Sequence, residues 1–269
     1  MNVKVMVCYH KDTPRLRSDV LFPIHVGRAL ASEELKAAMA DMPGDDTGDN
    51  ISEKNASYNE LTALYWSWKN PALLGSPDYI GLCHYRRLLS VPLGRGLRAR
   101  LYKIRRECTR ILAQLGSMRW LAGMSTDAIR EVCGQYDIIV PSPFTMDLTM
   151  REHYVAFHVE SDLDEALSIV HEKYPLMPIS EVMNSTSVYF CNIAVMRADL
   201  WNEYSAWLFD VLFELERHID ADVQRRKNYQ HRAYAFLGER LFNIWLSYKK
   251  EADASIHVGE LPFFPLRGI

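Results

Sequence analysis

The sequence predicts an α/β domain with a mostly parallel sheet, from three observations. Short apolar runs bounded by turn or polar residues recur along the chain, and amphipathic helical patterns lie between them. Groups suited to anion chemistry stand directly after two of those runs. With 269 residues, 48% hydrophobic and 24% charged, composition is ordinary for a globular protein and the length suffices for one large core. A single domain over 1–269 is expected, carrying a basic helical insertion over 88–130.

The first strand-like run, Val3 to Cys8, is followed by Tyr9, His10 and Lys11. A helical stripe comes next at Tyr58, Leu61, Leu64, Tyr65 and Trp68, with Ser52 and Asn55 as candidate caps. The run Tyr79 to Cys83 leads into His84, Tyr85, Arg86 and Arg87, and Asp137 to Val140 leads into the rigid Pro141-Ser142-Pro143. Ser187 to Met196 reads as a fourth strand. Two further stripes close the chain, one at Leu200, Tyr204, Trp207, Leu208, Val211 and Leu215, the other at Leu237, Leu241, Ile244, Trp245 and Tyr248. Parallel sheets bind ligands at the carboxyl ends of their strands, so the residues after each run are the candidates. Cations and imidazoles at two such ends suit an anionic ligand. With no GxGxxG and no GxxxxGK[ST], neither a dinucleotide fingerprint nor a P-loop is offered.

The five cysteines are scattered, odd in number and without a CxxC pair, which argues against a disulfide framework or a zinc site. The opening apolar run is too short for a secretion signal, and no stretch is long enough to span a bilayer, so a cytoplasmic location is expected. Net charge is −3, yet residues 86–119 hold ten Lys or Arg against one acid, Glu107. Within that stretch apolar residues fall at Leu97, Leu101, Ile104, Cys108, Ile111 and Leu115, with Arg98, Arg105 and Arg106 among the intervening bases. Such a basic amphipathic helix suits an anionic membrane surface; the competing reading is a solvated helix packed on the core. Nucleic acid is disfavoured, because the remaining chain is acidic and carries no recognition motif.

His84-Tyr85-Arg86-Arg87 is the strongest chemical feature. A diphosphate needs positive charge on binding and on departure, and Arg pairs with phosphate oxygens two at a time. A surface cluster making ion pairs is the plainer alternative. Asn50, Ser52 and Asn55 could hold a base, ribose or sugar hydroxyl, although capping would account for Ser52 and Asn55. Trp66, off the main stripe, is a candidate for stacking on a sugar. For a general base the candidates are Asp162 and Glu239. Asp164, which forms an Asp-x-Asp pair with Asp162, fits a helix start, where acids complement the dipole. His153 and His158, five residues apart, do not suit chelation, and no metal site is expected.

Several blocks together resemble a family of bacterial capsular and exopolysaccharide glycosyltransferases. They are Tyr9-His10-Lys11, Pro23 to Gly27, Asp49 to Ser52, Asn55, Glu60 to Asn70, Gly81 to Arg87 (the most specific), Tyr189 to Met196, Tyr204 to Phe209 and Gly238 to Leu241. They occur in order over nearly the whole chain. The resemblance implies a GT-A-like fold, with a mixed, mostly parallel sheet flanked by helices, and a nucleotide-diphosphate sugar donor. Some members look like galactofuranosyltransferases, which makes UDP-galactofuranose or another UDP-hexose the implied donor. It also implies that Asn192 approaches the donor sugar. GT-A enzymes usually carry Asp-x-Asp after the strand that here ends at Cys83, whereas this chain has His84-Tyr85-Arg86, a departure that favours fixed cations over a metal cofactor.

The expected activity is therefore inverting transfer of a hexose from a UDP-sugar to a growing, lipid-linked glycan at the inner face of the plasma membrane. Tyr9, His10, Lys11, Asn50, Ser52, Asn55, Tyr85, Arg86, Arg87 and Asn192 would bind the donor. His84, with Asp162 or Glu239, would serve catalysis, and Arg98, Arg105 and Arg106 would meet the membrane or acceptor. The alternatives are a non-catalytic scaffold of a polysaccharide assembly complex and a retaining transferase.

Overall fold

In the computed structural model, which describes residues 1–89 and 118–265, β1 (Val3–Tyr9) is apolar on both faces because both faces are covered. Val3, Val5, Val7 and Tyr9 enter one core layer, and Met6 and Cys8 enter the other. β2 (Leu21–His25) and β3 (Tyr79–His84) flank β1 in parallel. Beyond β3 lie β8 (Ala194–Arg197), antiparallel, then β5 (Ile138–Pro141) and β9 (Val258–Leu261), parallel to each other. The order β2-β1-β3-β8-β5-β9, with only β8 reversed among these strands, is the mostly parallel mixed sheet expected of a GT-A-like domain. A short antiparallel ribbon of β4 (Arg87–Leu89) and β10 (Phe263–Pro265) continues from the carboxyl end of β3 through the pair His84 and Arg87. A separate small ribbon joins β6 (Phe144–Thr145) to β7 (Ser187–Val188).

Helices cover both faces. α1 (Glu33–Ala38) and α4 (Met118–Val132) lie on the Val5 side, where Leu35, Ala122 and Ile129 pack. On the Met6 side lie α2 (Asn55–Tyr58), α3 (Leu61–Lys69), α5 (Met150–Phe157), α6 (Glu160–Lys173), α7 (Ile179–Met183), α8 (Ala198–Arg225) and α9 (Ala233–Ala252). Trp66, Trp201 and Trp245 are each only 1% exposed on that side. Burial of side chains this size contributes roughly 2–3 kcal/mol apiece, so this layer holds much of the folding free energy.

Four sequence expectations are corrected. The stripe from Tyr58 to Trp68 is two helices, because Asn59 adopts φ 46° and breaks the chain between α2 and α3. Ser52 and Asn55 do not cap a helix: Ser52 begins a 3-10 turn and Asn55 begins α2. The apolar run Ser187 to Met196 is split into β7 and β8 by left-handed residues at Cys191 and Asn192. Trp66 is no sugar platform; it is buried, donates from Nε1 to Thr47 Oγ1 at 3.0 Å and stacks on Phe22. β2 is not among the strands expected from the sequence; Pro23 is accommodated there because β2 is an outer strand of the sheet. The expected basic helix, with Arg98, Arg105 and Arg106, lies outside the described residues, and within the span 88–130 only the end of β4 and most of α4 are described. Among the described residues no helix is long and apolar enough to cross a membrane.

Two glycines give opposite expectations. A Cβ on Gly81, mid-β3, would stand 2.8 Å from the Ala194 carbonyl oxygen and 2.7 Å from Val195 Cγ2, so Gly81→Val should lower Tm by about 4–10 °C, the equivalent of ~2–3 kcal/mol of overpacking. Gly123, inside α4, has open space around it. Gly123→Ala should raise stability by about 0.5–1 kcal/mol. Thermal unfolding of the two variants beside the parent checks both signs.

Candidate functional site

At the carboxyl edge of the sheet, β1 leads into His10 and β3 ends on His84, followed by Tyr85 and the first residue of β4, Arg87. The turn preceding β8 brings Cys191 to the same edge because β8 runs the opposite way. Asn55 comes from α2, Glu60 from the start of α3, and Arg232 and Glu239 from the first part of α9 and the turn before it. Together these enclose a cavity of about 450 Å³, within the range of small-molecule sites.

One wall is cationic. Arg86, Arg87 and Arg232 line it with His10. Among arginines whose side chains are described, these three are the ones without a carboxylate partner; Arg15, Arg17, Arg28, Arg130, Arg151, Arg197, Arg217, Arg225, Arg226 and Arg240 all have one. A guanidinium left without a counter-ion beside a cavity is poised to take a phosphate. Burial lowers the His10 pKa, and Arg86, Lys11 and Arg232 push it the same way. His10 therefore meets a ligand as neutral imidazole at neutral pH. Tyr85 underpins this wall: its ring stacks on Tyr9 at 5.2 Å and carries the Arg86 guanidinium 5.3 Å from its centre.

Another part of the lining is acidic and holds the backbone in place. Cys191 and Asn192 have φ values of 79° and 48°, a conformation that costs of order 1–3 kcal/mol per non-glycine residue. Three side chains secure it. Glu239 Oε1 accepts the Cys191 N–H at 2.9 Å, and His84 Nε2 donates to the Cys191 carbonyl at 2.8 Å. Because a carbonyl only accepts, the proton on His84 must sit on Nε2. Asn192 Nδ2 donates to Glu60 Oε1 at 2.8 Å and to the Ala235 carbonyl at 3.1 Å. Gly238 permits that approach: a Cβ there would reach Leu61 Cδ1 at 2.8 Å and Asn192 Oδ1 at 3.4 Å. Burial raises the Glu239 pKa, opposed by Arg240, whose guanidinium donates to Oε2 at 2.8 Å, and reinforced by Glu60. The Cys191 thiol is pushed up to about 12, chiefly by burial, and is no nucleophile.

Of the residues singled out in the sequence, His10, Asn55, His84, Tyr85, Arg86, Arg87 and Glu239 line this cavity. The others among the described residues lie outside the lining. Asp162 is buried, 2% exposed, in a two-pronged pair with Arg226, and does not line the cavity. Tyr9 is fully buried, its hydroxyl accepting the Leu16 N–H at 2.7 Å. Ser52 donates to Asp45 Oδ1 at 2.5 Å and Asn50 accepts the Ser52 N–H at 3.2 Å, so both hold the loop after β2. Lys11 is exposed, 5.6 Å from the Tyr85 ring centre, and lies off the lining. Asn192 sits beneath the wall, where its side chain fixes Glu60. Glu60, Asn59, Arg232, Tyr229 and Phe236 were not foreseen as lining residues. Only the family block beginning at Glu60 hinted at one of them.

The donor set does not fit the metal that a GT-A Asp-x-Asp would hold. At the strand end where that motif would stand, this chain presents His84, Tyr85 and Arg86, and a guanidinium has no lone pair to offer a metal. Among the described residues no group of three or more His, Cys, Asp or Glu side chains is placed to hold a metal ion.

A solved structure described as the apo form of the WbbM bifunctional glycosyltransferase superposes on this chain with a TM-score of 0.78 and 28% identity. The match covers 100% of this chain and 46% of that one, so this chain spans about half the length of its structural relative. The superposition agrees with the sheet order in giving a GT-A-like fold. No curated protein matches. The family described as Domain of unknown function (DUF4422) matches residues 4–251, and the chain belongs to that family.

Proposed function

We propose that this chain is a glycosyltransferase that moves a hexose, galactofuranose or a relative of it, from a UDP-sugar to a growing lipid-linked glycan with inversion. The observation that carries the reading is the set of three arginines, Arg86, Arg87 and Arg232, that have no carboxylate partner among the described residues and stand around a cavity at the sheet's carboxyl edge. The structural likeness to a bifunctional glycosyltransferase supports it.

In this reading the diphosphate lies against the arginines and neutral His10, and Asn55 is within reach of the nucleoside or sugar. Glu239 takes the proton from an acceptor hydroxyl as that oxygen bonds the anomeric carbon. The bond from that carbon to the diphosphate oxygen breaks with its electron pair on the leaving group, where fixed guanidinium charge stabilises it without reorganisation. His84, Glu60 and Asn192 act by holding the Cys191-Asn192 turn, and so the Glu239 carboxylate, in position. Seating on an anionic membrane through Arg98, Arg105 and Arg106 belongs to the same proposal and rests on the sequence pattern.

The direct test is incubation with a panel of nucleotide sugars, with and without chelator, while following nucleoside diphosphate release. Turnover of at least one UDP-hexose, undiminished by chelator, is expected; no turnover with any donor overturns the reading. Arg86 is exposed, so Arg86→Ala should leave Tm nearly unchanged while turnover falls about 10²-fold or more, the scale of losing one transition-state charge contact. The raised pKa of Glu239 sets the sign of the pH dependence. As pH falls, Glu239 is protonated earlier than an ordinary carboxylate and ceases to act as a base, so kcat/KM should decline on an acid limb displaced upward from the usual range near 4.5. Glu239→Gln should abolish that limb together with about 10²–10⁴-fold of the rate.

A further inference from the structure

A second hollow, of about 310 Å³, adjoins the cationic cavity, and Arg87, Cys191, Tyr229, Phe236 and Glu239 line both. Its character is opposite. Phe144 and Phe190 meet at 5.7 Å between ring centres, and His153 lies 5.3 Å from Phe190. Across from them His158 stacks on Phe236 at 4.1 Å, and Phe236 meets Tyr229 at 4.5 Å. Arg240 forms the base of the hollow between the rings of Tyr154 and Phe190, each 5.2 Å away.

The Arg240 charge is matched there, while Arg87, shared with the cationic cavity, stands at the junction. Arg240 pairs with Glu239, and its NH2 donates to His153 Nδ1 at 3.1 Å, which places the His153 proton on Nε2. Burial, then Arg240, lowers the pKa of both histidines, that of His158 to about 4, so both are neutral at neutral pH. Yet the hollow is not simply greasy, because Arg87 and Glu239 line it beside the rings. An alkyl chain would leave the Arg87 and Glu239 groups that line the hollow without a polar partner. An anion would find its charge better matched in the neighbouring cavity. A neutral ring with apolar CH faces and hydroxyls on its edge satisfies aromatic walls and polar atoms together.

We infer that this second hollow is the acceptor subsite, that it takes an uncharged pyranoside unit of a glycan against Phe144, Phe190 and Tyr229, and that Glu239 stands at its junction with the donor cavity. The inference rests on the transferase reading for the word acceptor, but the binding of a neutral sugar does not. Glu239 is one of five residues shared by the two hollows, where a hydroxyl from one would meet an anomeric carbon in the other.

Saturation-transfer NMR on the full chain without donor tests it, using methyl β-galactopyranoside and methyl β-glucopyranoside as probes and 1-hexanol as the alkyl control. At least one pyranoside should receive saturation, strongest on its CH-face protons, and 1-hexanol should not compete with it. Phe144 and His153 line the second hollow and not the cationic cavity. Phe144→Ala and, as a second variant, His153→Gln should each weaken pyranoside binding roughly tenfold while Tm and UDP binding by calorimetry stay within twofold of the parent. The absence of pyranoside binding overturns the inference. Binding that persists in both variants, displacement by UDP, or preference for the alcohol overturns it equally. If sugars bind as expected but no nucleotide sugar is turned over, the subsite stands and the transferase reading falls. If donors are turned over while both variants leave the acceptor KM unchanged, the subsite alone falls.

Discussion

The backbone turn at Cys191 and Asn192 is held left-handed against its own preference, and the site is assembled from the groups that hold it. Glu239 grips the turn's amide, His84 its carbonyl, and Glu60, through Asn192, its side chain. Those three residues come from α9, β3 and the start of α3, so one short segment ties together elements distant in sequence. Hydrogen bonds to charged groups are worth roughly 1.5–3 kcal/mol each, enough to offset the strain of two non-glycine residues at positive φ. The same bonds fix both carboxylates at the edge of the cavity. Strain and site geometry are thus two aspects of one arrangement.

From that fixed turn the surroundings divide by charge. Toward β1 and β3 lie arginines without carboxylate partners and a histidine kept neutral by burial and its cationic neighbours. Toward α5 and β6 lie aromatic rings over an arginine whose charge is already matched. Glu239 is common to both sides, and burial makes it a better base than an exposed carboxylate. Such a division suits a reaction that joins a neutral hydroxyl compound to the carbon of a diphosphate ester, because each partner is drawn to its own side by its own chemistry.

Much of this was legible in the chain. Apart from Lys4 in β1 and His84 at the end of β3, β1, β3 and β5 are apolar because both faces are covered, and such apolar runs are readable without knowing their neighbours. Placing ligands at strand ends then selected Tyr9, His10, Lys11, His84, Tyr85, Arg86 and Arg87, of which all but Tyr9 and Lys11 line the cavity. Where the reading went astray, a local cue had two meanings. Asn59 looks unexceptional inside a helical stripe, but its positive φ turns the chain so that Glu60 reaches Asn192. Asp162 looks like a free acid until Arg226, 64 positions away, is seen to neutralise it.

By itself the sequence determined the α/β class, the apolar strands, the long helical stripes and the cationic strand end, because each is written in residues adjacent along the chain or spaced by a helical period. Tertiary structure alone decided which arginines keep a carboxylate partner, which carboxylate faces the cavity and which aromatic rings share a wall. Those properties depend on pairs far apart in sequence: His84 with Cys191, Asn192 with Glu60, Phe144 with Phe190. A charge is functional or structural according to what lies opposite it, and only folding brings the opposite group into place.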